Sequence, residues 1–306
     1  MSQGKSIKLF LADGTPGGII TAEIINWTGH VISAPRSRLA ELLARPEAAR
    51  PGLYVLVGEA LDGSGPLAYI GETENLGERL KAHAKPESPD GKGGKDFWDK
   101  AYVISSKDAN LTKGHLRFVE SRLISQALAA HRIPLENQKG TQSEYGVLPE
   151  ADQADMLYFI EQIKLVLPVL GLDLLRETNA AATDMQEAQP VRFELTAPTL
   201  GIVAFATELD GEFVVLKGSF ARKSWTQPGG YQKLHNQLRQ QGVLQIATQH
   251  LLMFTCDYAF SSPSAASAVV LGRSDNGRKS WLLAGSKQTY GDWQTAQLTK
   301  PDQLQP

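Results

Sequence analysis

Between Gly52 and His83 the chain runs through two short apolar segments, a turn between them, and then a change of period. Gly52-Leu53-Tyr54-Val55-Leu56-Val57 and Leu67-Ala68-Tyr69-Ile70-Gly71 flank Asp62-Gly63-Ser64-Gly65-Pro66. Two such runs around a Gly/Pro/Asp turn predict an antiparallel hairpin. Each run carries one tyrosine beside a glycine. The segment Glu74 to His83 reads as helical, with Thr73 or Asn75 as its cap. On a helix Arg79 and His83, four residues apart, share a face. Two tyrosines, an arginine and a histidine gathered in this way suit phosphate chemistry better than they suit a core.

Further along, Ala101-Tyr102-Val103-Ile104-Ser105 predicts a third strand, and Asn110 to about Ala130 a long helix ended by Ile133-Pro134. Leu116, Val119, Leu123 and Leu128 form its expected core stripe. Glu120 lies at the edge of that stripe, where it would reach the lip of the tyrosine-bearing sheet. Asn137 follows in Pro134-Leu135-Glu136-Asn137.

This ordered set resembles the GIY-YIG nuclease family, named for two tripeptides that read here Gly52-Leu53-Tyr54 and Tyr69-Ile70-Gly71, with Leu for Ile in the first. The resemblance covers roughly a third of the chain. It implies an α+β fold with a small antiparallel sheet flanked by helices. It assigns Arg79 as the catalytic arginine, Glu120 as the metal-binding glutamate and Asn137 as the late asparagine. The implied reaction is hydrolysis of DNA phosphodiesters with Mg²⁺ or Mn²⁺. One carboxylate with waters and a substrate phosphate is a common way to hold Mg²⁺, and a guanidinium makes forked hydrogen bonds to phosphate. A tyrosine is the family's usual base candidate; here Tyr54 comes first, with Tyr69 orienting it. His83 competes, because imidazole titrates near neutrality without help, whereas a phenol must be lowered from about 10. Asn137 is expected to orient backbone or substrate. The rival reading is a non-catalytic nucleic-acid-binding or regulatory protein that keeps the fold.

The chain of 306 residues predicts more than one domain. Its 42% hydrophobic and 21% charged content is that of a soluble globular protein. No apolar run approaches the ~20 residues of a membrane span, and no signal-peptide pattern follows the first residues, so a cytoplasmic location is expected. A single cysteine, Cys256, excludes an intrachain disulfide and a multi-cysteine zinc site; its apolar neighbours predict a buried small hydrophobe. The net charge of −2 conceals an uneven distribution. Residues 79–139 sum to +5, 140–210 to −9 and 211–290 to +6. Two basic segments around an acidic one are compatible with a DNA partner.

The expected organisation is a β-rich extension over residues 1–48, a nuclease domain over 49–148, a helical connector and linker over 149–190, and an α+β DNA-binding module over 191–296. In the extension, Arg36 and Arg38 are either DNA contacts or structural, and Ser37 is the expected cap of a short helix at 38–44. The loop from Ala84 to Lys95 is Pro/Gly-rich. In the last module Val215 to Ser219 and Phe260 to Gly272, with Asn276-Gly277 and Trp281, resemble the uncharacterised domain often fused behind GIY-YIG modules; the Ser-Ala-Ala run, the Asn-Gly and the Trp are also similar, more loosely, to the RAMA domain that accompanies adenine methylases. That likeness implies a DNA-contacting or modification-reading role. Residues 211–290 interleave nine basic residues with nine aromatics. Aromatics can stack on bases or fill a core, and Lys217, Arg222, Lys223 and Arg273 are the candidate phosphate contacts.

Overall fold

The computed structural model describes residues 4–63, 65–86, 94–108, 110–137, 148–176, 191–209, 211–226 and 230–298. Most of the expected loop at 84–95 and the linker at 178–190 lie outside them. The chain divides into two units, residues 1–177 and 178–306. Both mix helices with antiparallel sheets, an α+β architecture.

The first unit contains β1 (Ile7–Leu11), β2 (Ile20–Ile24), β3 (Gly29–Pro35), α1 (Leu39–Leu43), β4 (Gly52–Glu59), β5 (Pro66–Thr73), α2 (Leu76–Ala84), β6 (Trp98–Ser106), α3 (Lys113–Ala130) and α4 (Glu150–Val169). Its six strands form one sheet in the order β1-β2-β3-β6-β4-β5. The N-terminal strands are thus part of the hairpin's own sheet, joined to it through β3 and β6. Alternation along β4 divides the core. Leu53 and Val55 face α3 and α4, meeting Leu116, Val119, Ile160 and Ile163. Tyr54 and Leu56 face the other way, with Leu42, Leu76 and Leu80 of α1 and α2. The helix expected to connect domains, α4, therefore packs its Met156, Phe159, Ile160, Ile163 and Val166 stripe into the first core.

Several local expectations change. Leu128 of α3 is exposed, not core, because the helix turns it away from the sheet. No side chain caps α1: Arg36–Arg38 form a 3-10 turn that leads straight into it. Helix α4 ends at Val169, just after Pro168, and the apolar residues beyond it (Leu172, Leu174, Leu175) enter the core from irregular backbone.

The second unit contains β7 (Arg192–Ala197), β8 (Ile202–Leu209), β9 (Glu212–Val215), β10 (Phe220–Arg222), α5 (Gln232–Gln240), β11 (Leu244–Ile246), β12 (Leu251–Phe254), β13 (Tyr258–Phe260), α6 (Pro263–Leu271), α7 (Gly277–Ser280), β14 (Leu282–Leu283) and α8 (Tyr290–Leu298). One sheet has the order β13-β9-β8-β7-β14 and a second β10-β12-β11. Every residue from Ala265 to Leu271 is buried, as expected of a helix apolar on all sides. Six of the nine aromatics between 211 and 290 (Phe213, Phe254, Tyr258, Phe260, Trp281 and Tyr290) are buried in this core, which leaves Phe220, Trp225 and Tyr231 as the partly exposed ones.

Candidate active site

Strands β4 and β5 pair with Tyr54 opposite Gly71 and Leu56 opposite Tyr69, so both tyrosines lie on the α2 face of the sheet. Gly71 is required by that pairing. A Cβ on it would lie 2.3 Å from the Tyr54 hydroxyl oxygen, so the missing side chain makes the slot into which the Tyr54 ring reaches. The two tyrosine rings stack with centroids 6.0 Å apart.

Helix α2 supplies the other half. Asn75 caps it, its Oδ1 accepting from the Glu78 N–H at 3.0 Å. Leu76 and Leu80 anchor the helix in the core, which turns Arg79 and His83 toward the tyrosines. Arg79 Nε donates to the Tyr54 oxygen at 3.1 Å, and that oxygen stands 2.9 Å from His83 Nε2. A hydroxyl that accepts from arginine has its own proton to give. The simplest assignment sends it to His83 Nε2 and places the imidazole proton on Nδ1. Nδ1 is buried and has no hydrogen-bond partner among the described residues. The Tyr69 phenol interacts with both Tyr54 and Arg79. Tyr54 is fully buried and His83 nearly so. Tyr69 and Arg79 reach the surface.

The electrostatics follow from this placement. Burial, reinforced by Tyr69, pushes the Tyr54 phenol above its ordinary value, and the Arg79 hydrogen bond only partly opposes the shift. Burial, then the charges of Arg79 and Lys95, holds His83 down to about 4, so the imidazole is neutral at pH 7. The base role expected of Tyr54, with Tyr69 orienting it, therefore meets two obstacles: no solvent contact and a disfavoured phenolate.

Glu120 comes from α3, at the open edge of β5. Its Oε1 accepts from the Glu72 N–H at 3.1 Å. Burial and the neighbouring Glu72 carboxylate raise Glu120 to about 7. Asn137 grips the same edge: Nδ2 donates to the Ile70 carbonyl at 2.7 Å, and Oδ1 faces the Ile70 N–H at 3.5 Å. The segment carrying it runs parallel to β5 through an Ala68–Leu135 bridge. Asn137 thus hydrogen-bonds the backbone of β5. Arg79 borders an open cleft with Glu72, Thr73, Glu78 and Lys113, a lining of mixed sign.

Two further participants, Glu72 and Lys95, were not anticipated, and Arg36 joins them. Glu72 positions Glu120 through its backbone N–H. Lys95 lies with Nζ 4.3 Å from the centroid of the Tyr69 ring, paired with Glu136 at 2.6 Å. Its own N–H donates to the His83 carbonyl. Arg36 donates to the carbonyls of Ala84, Lys95 and Trp98, closing the base of the loop that separates His83 from Lys95. Its guanidinium is thus engaged in structure, one of the two readings expected of it. Glu72 directly follows the Tyr-Ile-Gly tripeptide, which is a usable signal. Nothing in the local pattern marks Lys95 or Arg36.

The residues fit a hard divalent cation better than zinc. Among the described residues no three His, Cys, Asp or Glu side chains gather as a metal cage. Glu120 instead offers one carboxylate in a half-buried spot that a neighbouring carboxylate makes unfavourable for charge, and a cation would relieve that repulsion.

In the second unit, Arg222 ends β10 with Lys223 directly after it, and Arg273 follows α6. The two places are brought together because the Thr226 N–H and hydroxyl both donate to the Gly272 carbonyl, and Gly272 lies against the Arg222 side chain. Lys217 lies at the other end of β10, its N–H held by Asp257, away from that group. The Ser/Asn-Gly/Trp signature has a structural use. Ser262 caps α6, the Ser264 hydroxyl accepts from the Gly277 N–H, and the Trp281 indole donates to the Pro263 carbonyl. A Cβ at Gly277 would lie 2.0 Å from that carbonyl oxygen. Cys256 is half-buried, and burial raises its thiol above the ordinary value.

Residues 193–294 match the model of a domain of unknown function, DUF4357. Comparison with curated proteins finds no match, and comparison with solved structures finds none either. No helix among the described residues is long and apolar enough to cross a membrane.

Proposed function

We propose that the first unit is a GIY-YIG-type endonuclease that hydrolyses DNA phosphodiester bonds with a divalent metal, Mg²⁺ or Mn²⁺. The observation that carries the reading is the hydrogen-bonded series Arg79–Tyr54–His83 beneath the surface-reaching Tyr69, with Glu120 held at the edge of the same strand. Simple binding requires no such buried relay.

Arg79 stabilises charge on the non-bridging phosphate oxygens. Glu120 would hold the metal, which supplies charge stabilisation at the phosphoryl group and helps the 3′ oxygen depart. Tyr69, the phenol that reaches the surface, meets the attacking water. As the water proton passes to Tyr69, the Tyr69 proton passes to Tyr54 and the Tyr54 proton to His83 Nε2. Neither phenol has to persist as a buried phenolate. His83 alone is a weak base, first because it is buried, and the positive charges of Arg79 and Lys95 lower it further. A bound phosphate offsets both, so substrate itself raises the proton affinity of His83. Lys95 and Asn137 keep Tyr69 and β5 in place.

The second unit we assign to DNA contact through Arg222, Lys223 and Arg273, with Lys217 outside that group. The test of the whole reading is plasmid nicking by the purified chain with Mg²⁺, Mn²⁺ or EDTA, on modified and unmodified DNA. Triple substitution of Arg222, Lys223 and Arg273 by Gln should weaken binding and flatten its salt dependence. Salt dependence identical to that of the unsubstituted chain would place the DNA contacts elsewhere.

A further inference from the structure

From Phe213 to Ser274 the second unit has one acidic residue, Asp257, whose Oδ1 already accepts from the Lys217 N–H at 2.7 Å. Arg222, Lys223 and Arg273 make no ion pair among the described residues. In the first unit, by contrast, Arg38, Arg45, Lys81, Lys95 and Lys107 each meet a carboxylate at 3.2 Å or less. Trp225 sits in the segment that joins the three cations. Its neighbour Thr226 ties that segment to the Gly272 carbonyl, the N–H donating at 2.9 Å and the hydroxyl at 3.2 Å. The Trp225 ring meets the imidazole of His235, with centroids 5.8 Å apart. His235 is buried, and its Nε2 stands 2.9 Å from the Arg222 carbonyl oxygen. A buried ring bonded to the end of β10 thus supports an indole that reaches the surface. The other two partly exposed aromatics are placed differently: Tyr231 packs against the core, and Phe220 opens β10 at its Lys217 end.

We propose that Trp225 stacks on an unpaired DNA base while Arg222, Lys223 and Arg273 hold the phosphates beside it, so that the second unit engages single-stranded DNA. The inference rests on the assignment of those three cations to DNA contact. Cations without counter-ions on the protein suit a phosphate backbone, which releases its own counter-ions when they bind. Phosphate contact alone does not distinguish paired from unpaired strands. The indole does. Inside a duplex both faces of a base are covered by its neighbours, so a surface ring has nothing to stack on. An unpaired base offers a face, and every base has one, so the preference is for strand state and not for sequence.

Fluorescence anisotropy on the full chain in EDTA tests this, with a labelled single strand of mixed sequence and an abasic strand of the same length, which keeps the phosphates and lacks the bases. The native chain should bind the strand with bases about tenfold more tightly than the abasic one. Trp225→Leu should bring that ratio back to about one, and Trp225→Phe, which keeps a smaller ring, should leave part of it; melting curves show that both are folded. Equal binding of the two strands by the native chain overturns the inference, as does an unchanged ratio in folded Trp225→Leu. The triple substitution of Arg222, Lys223 and Arg273 by Gln separates this failure from that of the reading beneath it. If it weakens both strands while Trp225→Leu keeps the ratio, only the stacking is wrong. If it binds both strands as the native chain does, the contact assignment fails and the inference with it. None of these outcomes depends on whether the chain cuts DNA.

Discussion

The Tyr54 hydroxyl stands 2.9 Å from Nε2 of His83, with Arg79 donating to the same oxygen from one turn earlier on the same helix. The strand and the helix that carry these residues meet because Leu76 and Leu80 share a core with Tyr54 and Leu56. The hydrogen bonds are thus set by packing. That is the physical content of preorganisation: the groups do not need to be gathered when substrate arrives.

Tyr54→Phe keeps the ring and removes the hydroxyl from this series. Nicking should fall by about a hundredfold or more, in the range of general acid–base and charge-stabilising groups. The ring stays in its slot, so the thermal midpoint should move only slightly. Tyr69→Phe should lose a similar factor, whereas unimpaired nicking by Tyr69→Phe would remove it from the proton path. Rates on supercoiled plasmid, with melting curves alongside, read both.

His83 makes stability depend on pH with a defined sign. Its value falls from 6.5 in the unfolded chain to about 4 in the fold. Its contribution is therefore complete above pH 6.5 and is lost as the pH drops toward 4, because the unfolded chain takes up the proton first. Denaturant unfolding of the native chain and of His83→Gln, from pH 7.5 to 4, should show their stability difference shrinking by up to about 3 kcal/mol across that window. A difference independent of pH would mean that the imidazole is not held neutral.

Gly71→Ala tests the slot itself. The added methyl group would collide with the Tyr54 hydroxyl, and overpacking of this kind costs about 1–3 kcal/mol. The variant should melt lower and nick poorly. In the double variant Gly71→Ala, Tyr54→Phe little of the lost stability should return, since the ring carbon Cζ of residue 54 would still crowd the added Cβ.

Much of this arrangement was legible in the sequence, and the limits have a common cause. The Tyr54–Tyr69 hairpin, the Asn75 cap and the Arg79–His83 face depend on contacts between near neighbours, which turn chemistry and periodicity report directly. The joining of β3 to β6 does not: strands separated by dozens of residues carry no signal of which edge they will share. A helical connector was expected where α4 stands, but periodicity does not name the surface that a helix will cover. Arg36 and Lys95 are long polar side chains whose partners are carbonyls and rings brought near only by the fold. The relation of Glu72 to Glu120 lies in a backbone N–H, which no side-chain pattern displays.

The second unit should lose stability sharply when its α6–α7 tie is cut. Trp281 is fully buried and bonded to the Pro263 carbonyl. Trp281→Ala should cost about 3–5 kcal/mol. Trp281→Phe should cost less, by the share that belongs to the N–H. If Trp281→Ala leaves the melting curve of residues 178–306 unchanged, the assigned use of the signature is wrong.

The most direct test of the nuclease reading is single-turnover nicking by the native chain and by Glu120→Ala, each with Mg²⁺ and with EDTA. Nicking by the native chain that disappears with EDTA, and falls by two orders of magnitude or more in a folded Glu120→Ala, is the predicted result. Nicking that survives EDTA or the loss of Glu120, or salt-dependent DNA binding with no cutting on any substrate, would contradict it.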